Sequence, residues 1–115
     1  MKSRKELLSE YKNKKFRIGV FQIRNTVNGK IFVDSSVDLD KIWNRHRTEL
    51  AFGSHRNAAL LKDWRQFGEA AFVFEILTEV KQTEQGTEEQ FKKEAKELAK
   101  MFINELQPFN DKGYN

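Results

Sequence analysis

Apolar residues recur along this chain with two different periods, and the switch between them marks its elements. From Phe16 to Arg24 (Phe-Arg-Ile-Gly-Val-Phe-Gln-Ile-Arg) the composition is that of a strand, and Lys30 to Ser35 reads as its return partner. Asn28-Gly29 between them is a two-residue hairpin signal. With that turn, Ile23 faces Asp34 and Asn25 faces Phe32, and Gly19, Phe21, Ile23, Phe32 and Asp34 share one face. From Leu39 the period lengthens to three and four. Asp38 is placed to cap a helix from Leu39 to about Phe52, with Leu39, Ile42, Trp43, His46 and Leu50 near one stripe. Gly53-Ser54 breaks it. A further helix runs from about Asn57 to Phe67, burying Leu60, Leu61 and Trp64, and Gly68 ends it. Phe72 to Leu77 is a short apolar strand, expected at the centre of the sheet. Thr87 caps a long helix from Glu88 to about Leu106, where Phe91, Ala95, Leu98, Phe102 and Leu106 recur. Pro108 stops it and leaves a short tail to Asn115. At the start, Ser3 and Glu6 have capping-box spacing, predicting a first helix from Arg4 to about Lys14. The order helix, hairpin, two helices, strand, helix predicts an α+β fold, with a three-stranded, mainly antiparallel sheet covered by helices.

Composition narrows the class. A length of 115 residues suits one domain, and ten Phe with two Trp can fill one core. The absence of Cys excludes disulfides, cysteine zinc sites and a cysteine nucleophile. No apolar run approaches the roughly 20 residues of a membrane span, and no signal peptide is visible, so a soluble, cytoplasmic protein is expected. The net charge is +4. Between Lys41 and Arg65, six cations stand against two anions, a surplus equal to that of the whole chain. Such clustering suits a phosphate backbone, and equally a solvated helix face.

Four ordered blocks carry a more specific signal. Gly19-Val20-Phe21, then Asn28-Gly29-Lys30 leading into Ile31-Phe32-Val33-Asp34-Ser35-Ser36, resembles the paired tripeptides that name the GIY-YIG nucleases. Leu39 to His46 resembles that family's L-x-x-R-W-x-x-H helix. Gly53-Ser54-His55-Arg56-Asn57 with Leu60, Trp64 and Phe67-Gly68-Glu69 resembles the G-x-H-x-N … L … W … Y-G-E stretch of its homing-endonuclease branch, and Phe72 to Leu77 follows as F-x-F-E-I-L. The resemblance spans residues 16–110. It implies the GIY-YIG fold as a single domain, with residues 1–15 as an extra helix and 111–115 as a tail.

The same resemblance implies a site in which several reactive groups are replaced. Phe21 and Phe32 stand where the family has tyrosines that help activate water, and a phenyl ring has no hydroxyl to pass a proton. Ile42 stands in place of an arginine that stabilises charge on the phosphate, with Arg45 three residues on as a candidate substitute. Ala99 falls at the metal-binding glutamate, judged from the spacing to Phe102-Ile103. Asp34 replaces a glycine and is a candidate Mg2+ ligand, against a carboxylate held locally at the strand end. His46 and His55 fall at family histidine positions; His46 is a candidate catalyst, and His55 and Asn110 are candidates to border a phosphate cleft. Arg24, Arg45, Arg47, Arg56 and Arg65 are the candidate backbone contacts.

The leading expectation is a GIY-YIG-fold protein that binds nucleic acid, DNA first, with cleavage weakened or lost. A working endonuclease with a rearranged site, using Mg2+ or Mn2+, is the second reading. A protein-interaction module on the same fold is the third. No membrane partner is expected, and no metal site is assigned.

Overall fold

The sheet is built on β1 (Gly19–Asn25), which pairs antiparallel with β2 (Ile31–Ser36) on one side and β3 (Phe72–Glu79) on the other. The computed structural model describes residues 16–115; the helix expected over residues 4–14 lies outside them. β1 is therefore the central strand and β3, expected at the centre, is an edge. Burial agrees: five of seven β1 residues are buried, whereas β3 is mostly half-covered.

The hairpin also corrects the expected register. Its loop holds residues 26–29: Asn25 N–H donates to Lys30 C=O at 2.9 Å and Gly29 N–H to Asn25 C=O at 2.8 Å. Side chains impose this longer turn. Asn25 Oδ1 accepts from Val27 N–H and Asn28 Oδ1 from Lys30 N–H, while Gly29 supplies the positive φ of 77°. Phe21 consequently faces Asp34, and Ile23 faces Phe32. A slip of two residues preserves the pleat, so the expected face is unchanged.

Helix α1 (Ile42–Phe52) starts three residues later than expected. Leu39 N–H is taken by Arg17 C=O at 2.8 Å, which draws Leu39 into the core before the helix begins. Asp38 contributes its carbonyl, not its side chain, to Ile42 N–H at 3.1 Å. In α2 (Ala58–Phe67) Asn57 is the cap, its Oδ1 accepting from Leu60 N–H. Thr87 and Gln90 form a reciprocal capping box at the start of α3 (Glu88–Leu106).

Pleating divides the core. Phe21 and Ile23 pack with Leu39, Leu50, Leu60 and Trp64 of the α1–α2 side. Val20 and Val33 pack on the opposite side with Ala99 of α3. The tail is part of this structure. Gly113 bridges in parallel to Ile31, and Asn115 both accepts from Val33 N–H and donates to Val33 C=O through its side chain. The β2 edge is thereby covered. A Cβ at Gly113 would collide with Pro108 O, which explains glycine there.

Candidate active site

A cleft of about 330 Å3 opens where β2, α1, the segment after Gly53 and the first half of α3 meet. Phe32 and Asp34 reach it from β2 because they share a face of the pleat. Ile42, Arg45, His46 and Glu49 reach it from α1, where steps of three and four residues keep them on one side. His55 and Arg56 close one wall, and Lys92 and Lys96, one turn apart on α3, close another.

Two imidazoles occupy the centre. His46 Nδ1 and His55 Nε2 lie 2.7 Å apart, and His55 Nδ1 accepts from Asn57 N–H at 3.0 Å. Aromatic rings pack around them: Phe21 stands 5.5 Å from His46 between centroids, and Phe32 lies edge-on to His46 at 5.8 Å and to His55 at 6.3 Å. Burial in this surround, followed by the neighbouring imidazole, lowers the His46 pKa to about 4. His55 is lowered as well, again chiefly by burial. Both shifts favour the neutral ring.

Charge in the cleft is predominantly positive. Glu49 is engaged by Arg45 at 3.1 Å. Among the described residues no ion pair ties Arg56, Lys92 or Lys96. Asp34 accepts from Ser35 N–H at 2.8 Å, a local bond at the strand end. The cleft walls raise its carboxyl above the ordinary value by desolvation, against the pull of that bond and of Arg56 and Lys96.

His46, Glu49 and His55 each place one ligand atom within 4.8 Å of the others, which is metal-site spacing. Their hydrogen bonds do not suit a metal. A metal-bound imidazole ordinarily donates its second N–H to an acceptor, whereas His55 Nδ1 faces the Asn57 N–H, a donor. A hard cation would need carboxylates, and both available ones already feel cations: Glu49 pairs with Arg45, and Asp34 lies in the field of Arg56 and Lys96.

Several sequence candidates lie outside the cleft. Phe21 is fully buried beneath it. Arg24 points to the other face of the sheet and binds Glu75 at 2.7 Å. Arg47 stacks over Trp43 and reaches Glu69 at 3.4 Å, and Arg65 lies against Gly53. Ala99 is buried against Val20 and Val33, while Ala95, one turn earlier, lines the cleft. Asn110 is exposed in a short 3-10 turn (Asn110–Lys112), with φ 55°. Sequence reasoning missed Glu49, Lys92 and Lys96 as lining residues; the Lys92–Lys96 spacing of four, flanking the buried Ala95, was the available signal.

No family model matches the chain. Intron-associated endonuclease 1 of Enterobacteria phage T4 is 37% identical over 62 residues, 54% of this chain, and the match spans 25% of that protein's length. The solved catalytic domain of intron endonuclease I-TevI, in a glutamate-to-alanine variant, is 32% identical with a TM-score of 0.71, covering 87% of this chain and 93% of that one. The solved catalytic domain of homing endonuclease I-TevI is 31% identical with a TM-score of 0.69, covering 85% and 96%.

Proposed function

This chain belongs to the GIY-YIG nuclease family, and from that premise we propose that its cleft binds the phosphodiester backbone of DNA and hydrolyses it weakly or not at all. The carrying observation is Ile42, an aliphatic side chain lining the cleft where the resemblance calls for an arginine. Losing one charge-stabilising group costs about 100- to 1,000-fold in rate. Phe32 beside it offers no hydroxyl to a water or a phosphate. The neutral imidazoles supply no charge, so the electrostatic part of the affinity rests on Arg56, Lys92 and Lys96.

Binding of this kind is electrostatic. Cations of the cleft displace counterions from the duplex, and the affinity falls steeply with salt whatever the base sequence. Anisotropy titrations of a labelled DNA duplex and a matched RNA at several salt concentrations test this, run beside plasmid nicking with Mg2+ or Mn2+. Salt-dependent DNA binding with little or no nicking is the expected result. No binding to either nucleic acid would sink it and favour a protein-interaction module.

The metal-like spacing of His46, Glu49 and His55 favours a second reading, a working endonuclease with a rearranged site. Family members are generally metal-dependent, so that reading requires nicking with added Mg2+ or Mn2+ and its loss in His46→Ala.

A further inference from the structure

The hydrogen bonds around the imidazoles have a fixed direction, and it starts outside the cleft. The Asn57 amide can only donate, so His55 Nδ1 accepts and bears no proton. In a neutral ring the proton then sits on His55 Nε2, which lies 2.7 Å from His46 Nδ1. That nitrogen must accept in turn, which leaves the His46 proton on Nε2. Among the described residues, His46 Nε2 has no hydrogen-bond partner in the protein. Among the described residues, the buried side-chain atom without a partner is Arg47 Nε, so His46 Nε2 is not sealed in the interior. His46 lines the cleft.

We propose that Asn57, His55 and His46 form a one-way relay that presents the His46 Nε2–H to a phosphate oxygen, His46 as the ligand-touching donor and His55 as its positioning residue. The role rests on DNA being bound in the cleft. It differs from the two roles paired histidines usually suggest. A general base needs a lone pair directed at the substrate, and here that atom carries a proton. A metal ligand on His55 Nε2 would have to displace the relay proton while Nδ1 remains opposite a donor. Burial favours the neutral form of both rings, and each donor in the chain polarises the next, strengthening the terminal N–H. Asn57 is itself held in place: its Oδ1 caps α2, and its Nδ2 donates to Tyr114 C=O at 2.7 Å. The anchor of the relay is therefore tied to the C-terminal tail.

Two measurements test this. Long-range 1H–15N spectra of the 15N-labelled protein at pH 7 are expected to show Nε2–H with unprotonated Nδ1 for both histidines. The spectra should be unchanged by stoichiometric Zn2+. A proton on either Nδ1, or Zn2+ shifting both rings together, overturns the relay. In anisotropy with a labelled DNA duplex, His46→Gln retains a donor near the Nε2 position and should bind within about threefold of the parent, whereas His46→Ala should weaken binding about tenfold. Equal loss in both variants overturns the donor role. If the parent binds no DNA, the phosphate role falls with the proposed function, and the nitrogen spectra still decide the relay.

Discussion

Phe32 lies edge-on to His46, 5.8 Å between ring centroids, and this contact places a ring without a hydroxyl at the wall of the cleft. Phe21 touches the same imidazole from below at 5.5 Å, and is fully buried. The two tyrosine-equivalent positions are thus chemically alike and physically different. Phe32→Tyr adds a hydroxyl where water reaches it, so stability should stay within about 0.5 kcal/mol of the parent. Phe21→Tyr must bury its hydroxyl in a core packed against His46 and Phe74 and should cost about 1–3 kcal/mol. Urea unfolding of the two variants decides it; equal destabilisation would contradict the burial difference.

Salt dependence separates cations that face the cleft from those already paired. Arg56 and Lys96 line it, whereas Arg24 is bound to Glu75 at 2.7 Å on the opposite face. Arg56→Ala and Lys96→Ala should each reduce the slope of log affinity against log salt by about 1. Arg24→Ala should leave the slope unchanged. A drop for Arg24→Ala equal to that for Arg56→Ala would move the DNA path to the other face of the sheet.

Much of this was legible in the sequence, and the errors have local causes. Periodicity placed the last two helices because Leu60, Trp64, Phe91 and Ala95 recur at helical spacing over long segments. The hairpin register was misplaced because Asn28-Gly29 usually closes a two-residue turn, while here the Asn25 and Asn28 side chains take up backbone donors and lengthen it. The tail was invisible for a different reason. Gly113, Tyr114 and Asn115 have no periodicity, and their role depends on partners far away in sequence: Ile31, Val33, Asn57 and Asp63. The cleft was half legible. His46, His55, Asp34 and Arg56 converge on it, but charge alone could not tell Arg24 and Arg47, both consumed by ion pairs, from Lys92 and Lys96.

The tail should accordingly carry stability out of proportion to its length. Tyr114 is buried, and its hydroxyl accepts from Asn25 Nδ2 at 3.1 Å and donates to Asp63 Oδ2 at 2.7 Å. Asn25 has no exposed surface, so its Nδ2 cannot turn to water. Tyr114→Phe keeps the ring and leaves that donor unsatisfied, a loss of about 1–3 kcal/mol. For a domain of this size, this corresponds to a melting temperature lower by roughly 5–15 °C. An unchanged thermal melt would mean that the Asn25–Tyr114–Asp63 chain contributes nothing net.

Acidification should destabilise the fold through the imidazole pair before most carboxylates respond. His46 titrates near 4 in the folded protein against an ordinary 6.5, because burial and His55 both disfavour its charged form. The unfolded chain therefore takes up a proton that the folded chain refuses. The associated stability is complete above about pH 6.5 and is lost as pH falls through the window from 6.5 to about 4. For His46 the undiscounted loss is roughly 3–4 kcal/mol, reduced by solvent screening of this partly exposed ring, and His55, lowered for the same leading reason, adds in the same direction. Glu75, held below its ordinary value of 4.5 by Arg24, gives up its contribution at the acid end of this range and below it. Asp34 acts oppositely: burial raises its carboxyl above 3.8, so protonation relieves a cost. Chemical denaturation at pH 7, 6, 5 and 4 should show the parent weakening from about pH 6.5 downward, with a shallower slope in His46→Gln. Parallel slopes in the two proteins would show that His46 is protonated as readily in the fold as outside it.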